Sequence, residues 1–259
     1  MANFDVAVSE YLQAPVHTAA PDDTLDHIYA KLGELRISSL PVLEAGKLVG
    51  VISRSDLLRV GRRGAGTGTH ATVLAFPSAT AKDEMTADVH TVEPSTALSA
   101  AARIMAKEHV HRVYVVENDE LVGVVGTYDL ICAVREKGVN TPISEQMSSP
   151  VFSIRAEEPV STATDRLAKA HVSGLVVLEN EWPVGVFRQV EALAARSLPR
   201  ETRVDAVMDP AMLCIPTTTR LGRAAQQMAS MRARRIIAMK QDRVEGILSG
   251  LDFAKFIAR

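Results

Sequence analysis

Two copies of a glycine-led motif set a hydroxyl three residues ahead of a carboxylate: Ser53 with Asp56, and Ser249 with Asp252. A carboxylate can accept hydrogen bonds from both the 2′- and 3′-hydroxyls of a ribose. A Ser or Thr on the approach to a helix can bond a phosphate oxygen alongside the helix N–H groups. Cationic side chains nearby would neutralise that phosphate through charge-assisted bonds, which are stronger than neutral ones. Taken alone, each serine reads as a helix cap. Arg232, Arg234 and Arg235 are bunched near the second pair, and they read either as a local anion site or as a solvated arginine face.

Both pairs belong to a larger pattern. A glycine recurs at Gly50, Gly123, Gly185 and Gly246, each leading two apolar residues and, six positions on, an acid: Asp56, Asp129, Glu191 or Asp252. Thirty-eight positions before each glycine stands Leu12, Met85, Met147 or Met208. A fixed offset kept four times means four copies of one structural unit. The glycines are 73, 62 and 61 residues apart. The first interval is longer through an insertion beginning Gly61-Arg62-Arg63-Gly64-Ala65-Gly66-Thr67-Gly68. No Lys-Ser/Thr follows it, so it reads as a flexible surface loop rather than a phosphate loop.

The elements that must hold these side chains are legible from periodicity. Leu25, Ile28, Tyr29 and Leu32 fall at i, i+3, i+4 and i+7, as do Leu98, Ala101, Ala102 and Met105. Val160, Ala163, Thr164 and Leu167, and then Leu221, Ala224, Ala225 and Met228, repeat the spacing. This is the stripe of an amphipathic helix starting 25 positions before each glycine. Pro21-Asp22-Asp23-Thr24 and Pro94-Ser95-Thr96 supply expected N-caps. Two short apolar runs follow each helix, as at 40–43 and 48–52 or 113–116 and 121–125, joined by polar turns and predicting β-hairpins. A second helix then starts, placing the acid at its N-terminus, where the helix dipole favours a carboxylate.

Composition bounds the function. With 259 residues and a formal charge of −2, the chain lacks the basic excess of a general nucleic-acid binder. Residues 1–140 hold 13 Lys and Arg against 18 Asp and Glu, whereas residues 141–259 hold 16 against 13. Cys132 and Cys214 have neither metal-ligand spacing nor a disulfide framework, and two buried thiols in a reducing cytosol are expected. No signal peptide or membrane span is evident, so a soluble cytoplasmic protein is expected. His17, His27, His90, His109 and His171 are scattered without a nucleophile-base-acid grouping, which speaks against an enzyme.

The order β-α-β-β-α, the run Leu40-Pro41-Val42-Leu43 and the motif G-h-h-[ST]-x-x-D at Gly50–Asp56 and Gly246–Asp252 resemble the CBS domain. The resemblance implies an α/β (α+β) fold of four CBS units paired into two Bateman modules, as in the γ subunit of AMP-activated kinase and stand-alone prokaryotic CBS proteins. The units are expected at 1–62, 80–138, 139–199 and 200–259, with a glycine-rich linker at 63–79. The family has no enzymatic activity of its own and commonly binds AMP, ADP, ATP or S-adenosylmethionine.

The resemblance also assigns residues. Ser53 and Asp56 would form one cleft with His111 and Arg112, a pair similar to the phosphate-binding pair of the kinase γ subunit, and Val113 beside them. Ser249 and Asp252 would form another with Ser153, Ser173 and Gly174, with Arg234 and Arg235 at phosphate positions. Two clefts are doubtful. Gly126 stands where a hydroxyl should be, with Thr127 one position late, leaving Asp129 with Thr18, Ser38 and Ser39. Arg188 and Glu191 replace Ser and Asp in the third copy and could pair and plug the cleft, or Arg188 could reach a phosphate next door. The implied function is a non-catalytic adenine-nucleotide sensor that signals to an unknown regulated protein by changing CBS-pair geometry. The alternative is an interaction scaffold with degenerate clefts. No metal, membrane or nucleic-acid partner is expected, and both a monomer and a homodimer stay open.

Overall fold

Leu25, Ile28 and Leu32 are buried on one stripe of the first helix, which begins at the residue its periodicity sets, 25 before Gly50. The computed structural model describes residues 3–66 and 71–259. In chain order the first repeat contains α1 (Leu25–Glu34), β1 (Ser39–Glu44), β2 (Lys47–Ser53) and α2 (Arg54–Gly64). The short α3 (Ala81–Glu84) leads into the second: β3 (Thr91–Val92), α4 (Leu98–Glu108), β4 (Arg112–Glu117), β5 (Glu120–Gly126) and α5 (Thr127–Lys137). The third has β6 (Ser153–Arg155), α6 (Val160–Lys169), β7 (Gly174–Glu179), β8 (Trp182–Arg188) and α7 (Gln189–Ala194). The fourth has β9 (Cys214–Pro216), α8 (Leu221–Met231), β10 (Arg235–Lys240), β11 (Arg243–Ser249) and α9 (Gly250–Ile257). No helix among the described residues is long and apolar enough to cross a membrane.

Every repeat carries the expected hairpin. In the last three, a leading strand pairs in parallel with the first hairpin strand, giving the orders β3-β4-β5, β6-β7-β8 and β11-β10-β9. The first repeat keeps only a parallel bridge, Ala19 to Val42. Positive φ at Asn118 and Asp119, Asn180 and Glu181, and Gln241 and Asp242 marks two-residue turns, whose twist matches that of the flanking strands.

The chain divides into two compact units. One comprises Met1–Val16, Val89–Val151 and Leu213–Arg259, and thus holds repeats two and four. Its core gathers Leu98, Met105, Leu130 and Ile131 with Leu221, Met228, Phe253 and Ala254, where α5 packs on α8 and α9. The other comprises His17–Asp88 and Phe152–Met212 and holds repeats one and three. Leu25, Ile28, Leu57 and Leu58 pack there with Leu167, Leu175, Phe187 and Leu193, and α2 lies against α7.

Three local expectations are corrected. The glycine-rich insertion is not a loop from its start, because α2 runs through Gly61, Arg62, Arg63 and Gly64. A Cβ on Gly61 would meet Leu74 Cβ at 3.0 Å, and one on Gly64 would meet the Ala75 carbonyl oxygen at 2.1 Å. The returning chain packs where those side chains would stand, and that contact offsets the helix cost of glycine. Thr67 and Gly68 lie outside the described residues. Thr24 caps α1 by accepting from the His27 N–H at 3.3 Å, but Pro94-Ser95-Thr96 does not cap α4. Thr96 Oγ accepts from the Glu93 N–H instead, and the Val6 and Phe4 carbonyls take the Leu98 and Ser99 N–H groups at 2.8 and 3.2 Å. Finally, Cys214 is exposed rather than buried, because it points outward on β9 while Ile215 points in.

Candidate functional site

Each acid of the glycine motif lies at N3 of the helix that follows the hairpin and turns back on the strand end. Asp56 Oδ2 accepts from the Ser53 N–H at 2.9 Å and its hydroxyl at 2.6 Å. Asp252 Oδ2 accepts the same pair from Ser249, both at 2.7 Å. These are capping boxes in which the serine hydroxyl is turned to its own acid. Gly126 offers only its N–H to Asp129 Oδ2, at 2.8 Å. The third repeat forms the expected ion pair: Arg188 donates from its backbone and Nε to Glu191 Oε2 at 2.8 and 3.0 Å, and from Nη2 to Oε1 at 2.7 Å.

The second oxygen of each acid is engaged as well. Gln13 Nε2 donates to Asp129 Oδ1 at 3.1 Å, and the Ser148 hydroxyl to Asp252 Oδ1 at 2.7 Å. Asp209 accepts from Arg188 Nη2 at 2.6 Å and so completes the Glu191 pair. Gln13, Ser148 and Asp209 each stand 37 positions before a glycine, on a segment bridged to β5, β11 and β8 respectively. Sequence reading missed all three, since their side chains share no type and only the offset marks them. Thr86, at the same offset, bridges to Val51, and Asp56 Oδ1 takes Arg59 Nη2 at 3.2 Å. Asp56 is the most open of the four acids, with 13 % of its side chain exposed against 2 % for Asp252.

The cations converge in the unit that holds repeats two and four. His111 and Arg112 precede and open β4, and Arg234 and Arg235 hold the same positions at β10. Lost hydration pushes the His111 imidazole down to about 4, and the charges of Arg235, Arg112 and Arg234 push it the same way. His111 and Arg234 are exposed as residues, while Arg112 and Arg235 are half-buried. Burial lowers the Arg112 pKa and Arg234 adds to that, against the opposing effects of Tyr114 and Asp129. Asp129 is itself raised by burial, against hydrogen bonds from Gly126 and Gln13 and the charge of Arg112. Neutral His111 and three arginines gather positive charge here, and an anion placed among them would be favoured.

Thr127 lies in the same unit, its N–H on the His111 carbonyl at 3.0 Å and its side chain where a Cβ on Gly250 would fall. Val113, on β4, is fully buried. In the unit holding repeats one and three, the positions equivalent to the cations carry Ser38 and Ser39, and Ser173 and Gly174. There the Thr18 carbonyl accepts from Lys31 Nζ at 2.7 Å, and the Ser153 carbonyl accepts from Arg166 Nη1 at 2.6 Å. Ser38 and Ser173 offer carbonyls to the Arg54 and Gln189 N–H groups at 3.0 and 3.4 Å. Ser53, Asp56, Arg188 and Glu191 belong to this unit, and Asp129, Ser249 and Asp252 to the other.

The family model of the CBS domain matches residues 8–63, 81–136 and 143–197. The chain is 27% identical over 122 residues to protein MJ1232 of Methanocaldococcus jannaschii, covering 47% of this chain and 40% of that one. It is 25% identical over 192 residues to a 33.4 kDa protein in the ribosomal RNA operon of Thermofilum pendens, covering 69% and 60%. The chain therefore spans less than two thirds of the length of these relatives. Among solved structures, protein MJ1225 of Methanocaldococcus jannaschii, described as a proposed archaeal homologue of γ-AMPK, superposes with a TM-score of 0.85. That alignment covers 98% of this chain and all of that one at 18% identity, a likeness of fold. The fourth repeat lies beyond the family-model matches yet repeats their elements in the same register, and the mixed α/β fold is that of paired CBS repeats in Bateman modules. Sequence, register and fold thus agree, and the chain belongs to the CBS domain family.

Proposed function

We propose that this protein is a non-catalytic regulatory module that binds an adenine nucleotide, AMP, ADP or ATP, and signals occupancy to a partner protein. CBS domains commonly bind adenosine ligands as regulatory modules. The observation that carries the reading is the cluster of His111, Arg112, Arg234 and Arg235, drawn from two repeats into one compact unit. Such a cluster suits a phosphate group, which arginines hold through paired charge-assisted hydrogen bonds. Ribose hydroxyls are assigned to the helix-start carboxylates that keep a serine, Asp56 in one unit and Asp252 in the other. Asp56 has the more open carboxylate, while Asp252 would exchange its Ser148 bond for the sugar. A ligand shifts the protein between arrangements only by its differential affinity for them.

A second reading, an interaction scaffold, draws support from the third repeat. There Arg188, Glu191 and Asp209 satisfy one another without a ligand. Titration calorimetry with AMP, ADP, ATP and S-adenosylmethionine separates the two. Heat from a nucleotide, lost in Arg234→Gln/Arg235→Gln, supports the sensor. No heat from any of them at millimolar concentration leaves the scaffold.

A further inference from the structure

The second oxygen of Asp56 is held by a cation from its own helix: Arg59 Nη2 donates to Oδ1 at 3.2 Å. In repeats two and four the corresponding oxygen takes an uncharged donor from another segment, Gln13 or Ser148. Arg59 is not held by Asp56 alone. Its Nη1 donates to Glu84 Oε2 at 3.2 Å and its Nη2 to the Glu84 carbonyl at 3.1 Å. Glu84 ends α3, and both its carboxylate oxygens also accept from Arg63 Nη2 at 2.7 Å. Of these three bonds from the Arg59 guanidinium, two lie on Glu84 and one on Asp56. All four residues belong to the unit of repeats one and three.

Acceptor sites on Asp56 are scarce. An ionised carboxylate offers about four lone-pair sites. Ser53 takes two of them, through its N–H at 2.9 Å and its hydroxyl at 2.6 Å, and its oxygen accepts in return from the Asp56 N–H at 3.4 Å. That reciprocal cap is built into the start of α2. Arg59 takes a third site, so a ribose presenting two vicinal hydroxyls meets one open acceptor where it needs two. Arg59 is the partner able to leave, because its side chain is 49 % exposed and keeps both bonds to Glu84 when it swings off Asp56. We propose that Arg59 is a tethered competitor for the ribose acid of repeat one, with Glu84 the acceptor onto which it withdraws when a ribose binds. This rests on the nucleotide reading of Asp56 and adds the residue that sets how readily that cleft opens. Exposed ion pairs are weak, so the competition amounts to about twofold to fivefold in affinity rather than closure.

Titration calorimetry of the full chain with adenosine tests this, because adenosine carries the ribose without a phosphate that Arg59 could attract. The event followed is the one that Asp56→Asn removes. Arg59→Met, which keeps the stem and removes the guanidinium, should tighten it about twofold to fivefold. Glu84→Gln, which leaves the cation on Asp56, should weaken it, and should have no effect in the Arg59→Met background. Arg63→Met, whose contact is with Glu84, should not tighten it. Adenosine affinity unchanged or weakened by Arg59→Met overturns the competitor and leaves the nucleotide reading standing. Equal weakening by Glu84→Gln in both backgrounds overturns the role of Glu84. Heat in Arg59→Met alone, with none in the parent, supports the competitor. No adenosine heat in either chain overturns the ribose role of Asp56 and the competitor with it, and AMP titrated into the same chains then decides the nucleotide reading by itself. Should Arg59→Met loosen the fold, Glu84→Gln still carries the test through its dependence on Arg59.

Discussion

Leu12 lies against Gly123, not against Gly50, the glycine 38 positions after it: a Cβ built on Gly123 would stand 2.8 Å from Leu12 Cδ1. Gly50 in turn receives Met85, whose sulfur would be 2.3 Å from an added Cβ. Met147 covers Gly246 and Met208 covers Gly185 by the same exchange. Each repeat thus sends its leading segment to its neighbour, one with two and three with four. The helix caps follow the same rule, since the carbonyls of Val6, Ala79, Thr141 and Thr202 take the first N–H groups of α4, α1, α8 and α6.

Gly123→Ala should therefore destabilise the protein by about 1–3 kcal/mol, the usual cost of forcing extra volume into a packed contact. Leu12→Ala should relieve part of that cost, so the double variant falls short of the summed losses by more than the ~0.5 kcal/mol expected of independent sites. Denaturant unfolding of the four chains measures the coupling. Strict additivity would contradict the exchanged contact.

Removing the Arg188 side chain leaves Glu191, 8 % exposed, facing Asp209 without its cation. Arg188→Ala should cost about 1.5–3 kcal/mol, the range for hydrogen bonds to charged groups. Glu191→Gln in the same chain should recover part of the loss at neutral pH. Thermal melts at pH 7 report both changes.

His111 sets a pH dependence whose sign is fixed by its shift. With a folded pKa of about 4, below the ordinary histidine value of 6.5, the unfolded chain binds the extra proton between those values. Stability from this group is complete above about pH 6.5 and is lost as pH falls through about 4. His111 is exposed as a residue, so solvent and salt reduce the size of the effect. Arg235→Gln should move the imidazole pKa back up, measured by histidine NMR titration, and flatten the acid limb of the stability profile. Under the nucleotide reading, binding of phosphate beside His111 should take up a proton, seen as a buffer-dependent heat in calorimetry.

Ser53→Ala tests the cap against the ligand role. Losing an N-cap hydroxyl costs about 0.5–2 kcal/mol, and the loss should be equal with and without AMP if Ser53 serves only Asp56. A loss that grows in saturating AMP would give the hydroxyl a ligand as well. Melting temperatures at several AMP concentrations distinguish these outcomes.

The sequence by itself determined the repeat, the helix starts at Leu25, Leu98, Val160 and Leu221, the hairpins and the placing of each acid near the N-terminus of the helix that follows. It also offered the pairing of Arg188 with Glu191, three residues on, as one of two readings, the other being a reach to a phosphate. All of these are set within about a dozen neighbouring residues, where side-chain period and strand-to-helix geometry act directly. Only the tertiary structure decided which glycine Leu12 covers, because four like repeats offer four near-equivalent partners and local pattern cannot choose among them. It also kept Gly61 and Gly64 in a helix, through the chain packed against them. Likewise it replaced the expected Thr96 cap with the Val6 carbonyl, and brought His111 and Arg112 beside Arg234 and Arg235 across 123 positions of sequence. Such contacts depend on which repeats share a core, and that is settled by the packing of α5 on α8 and α9.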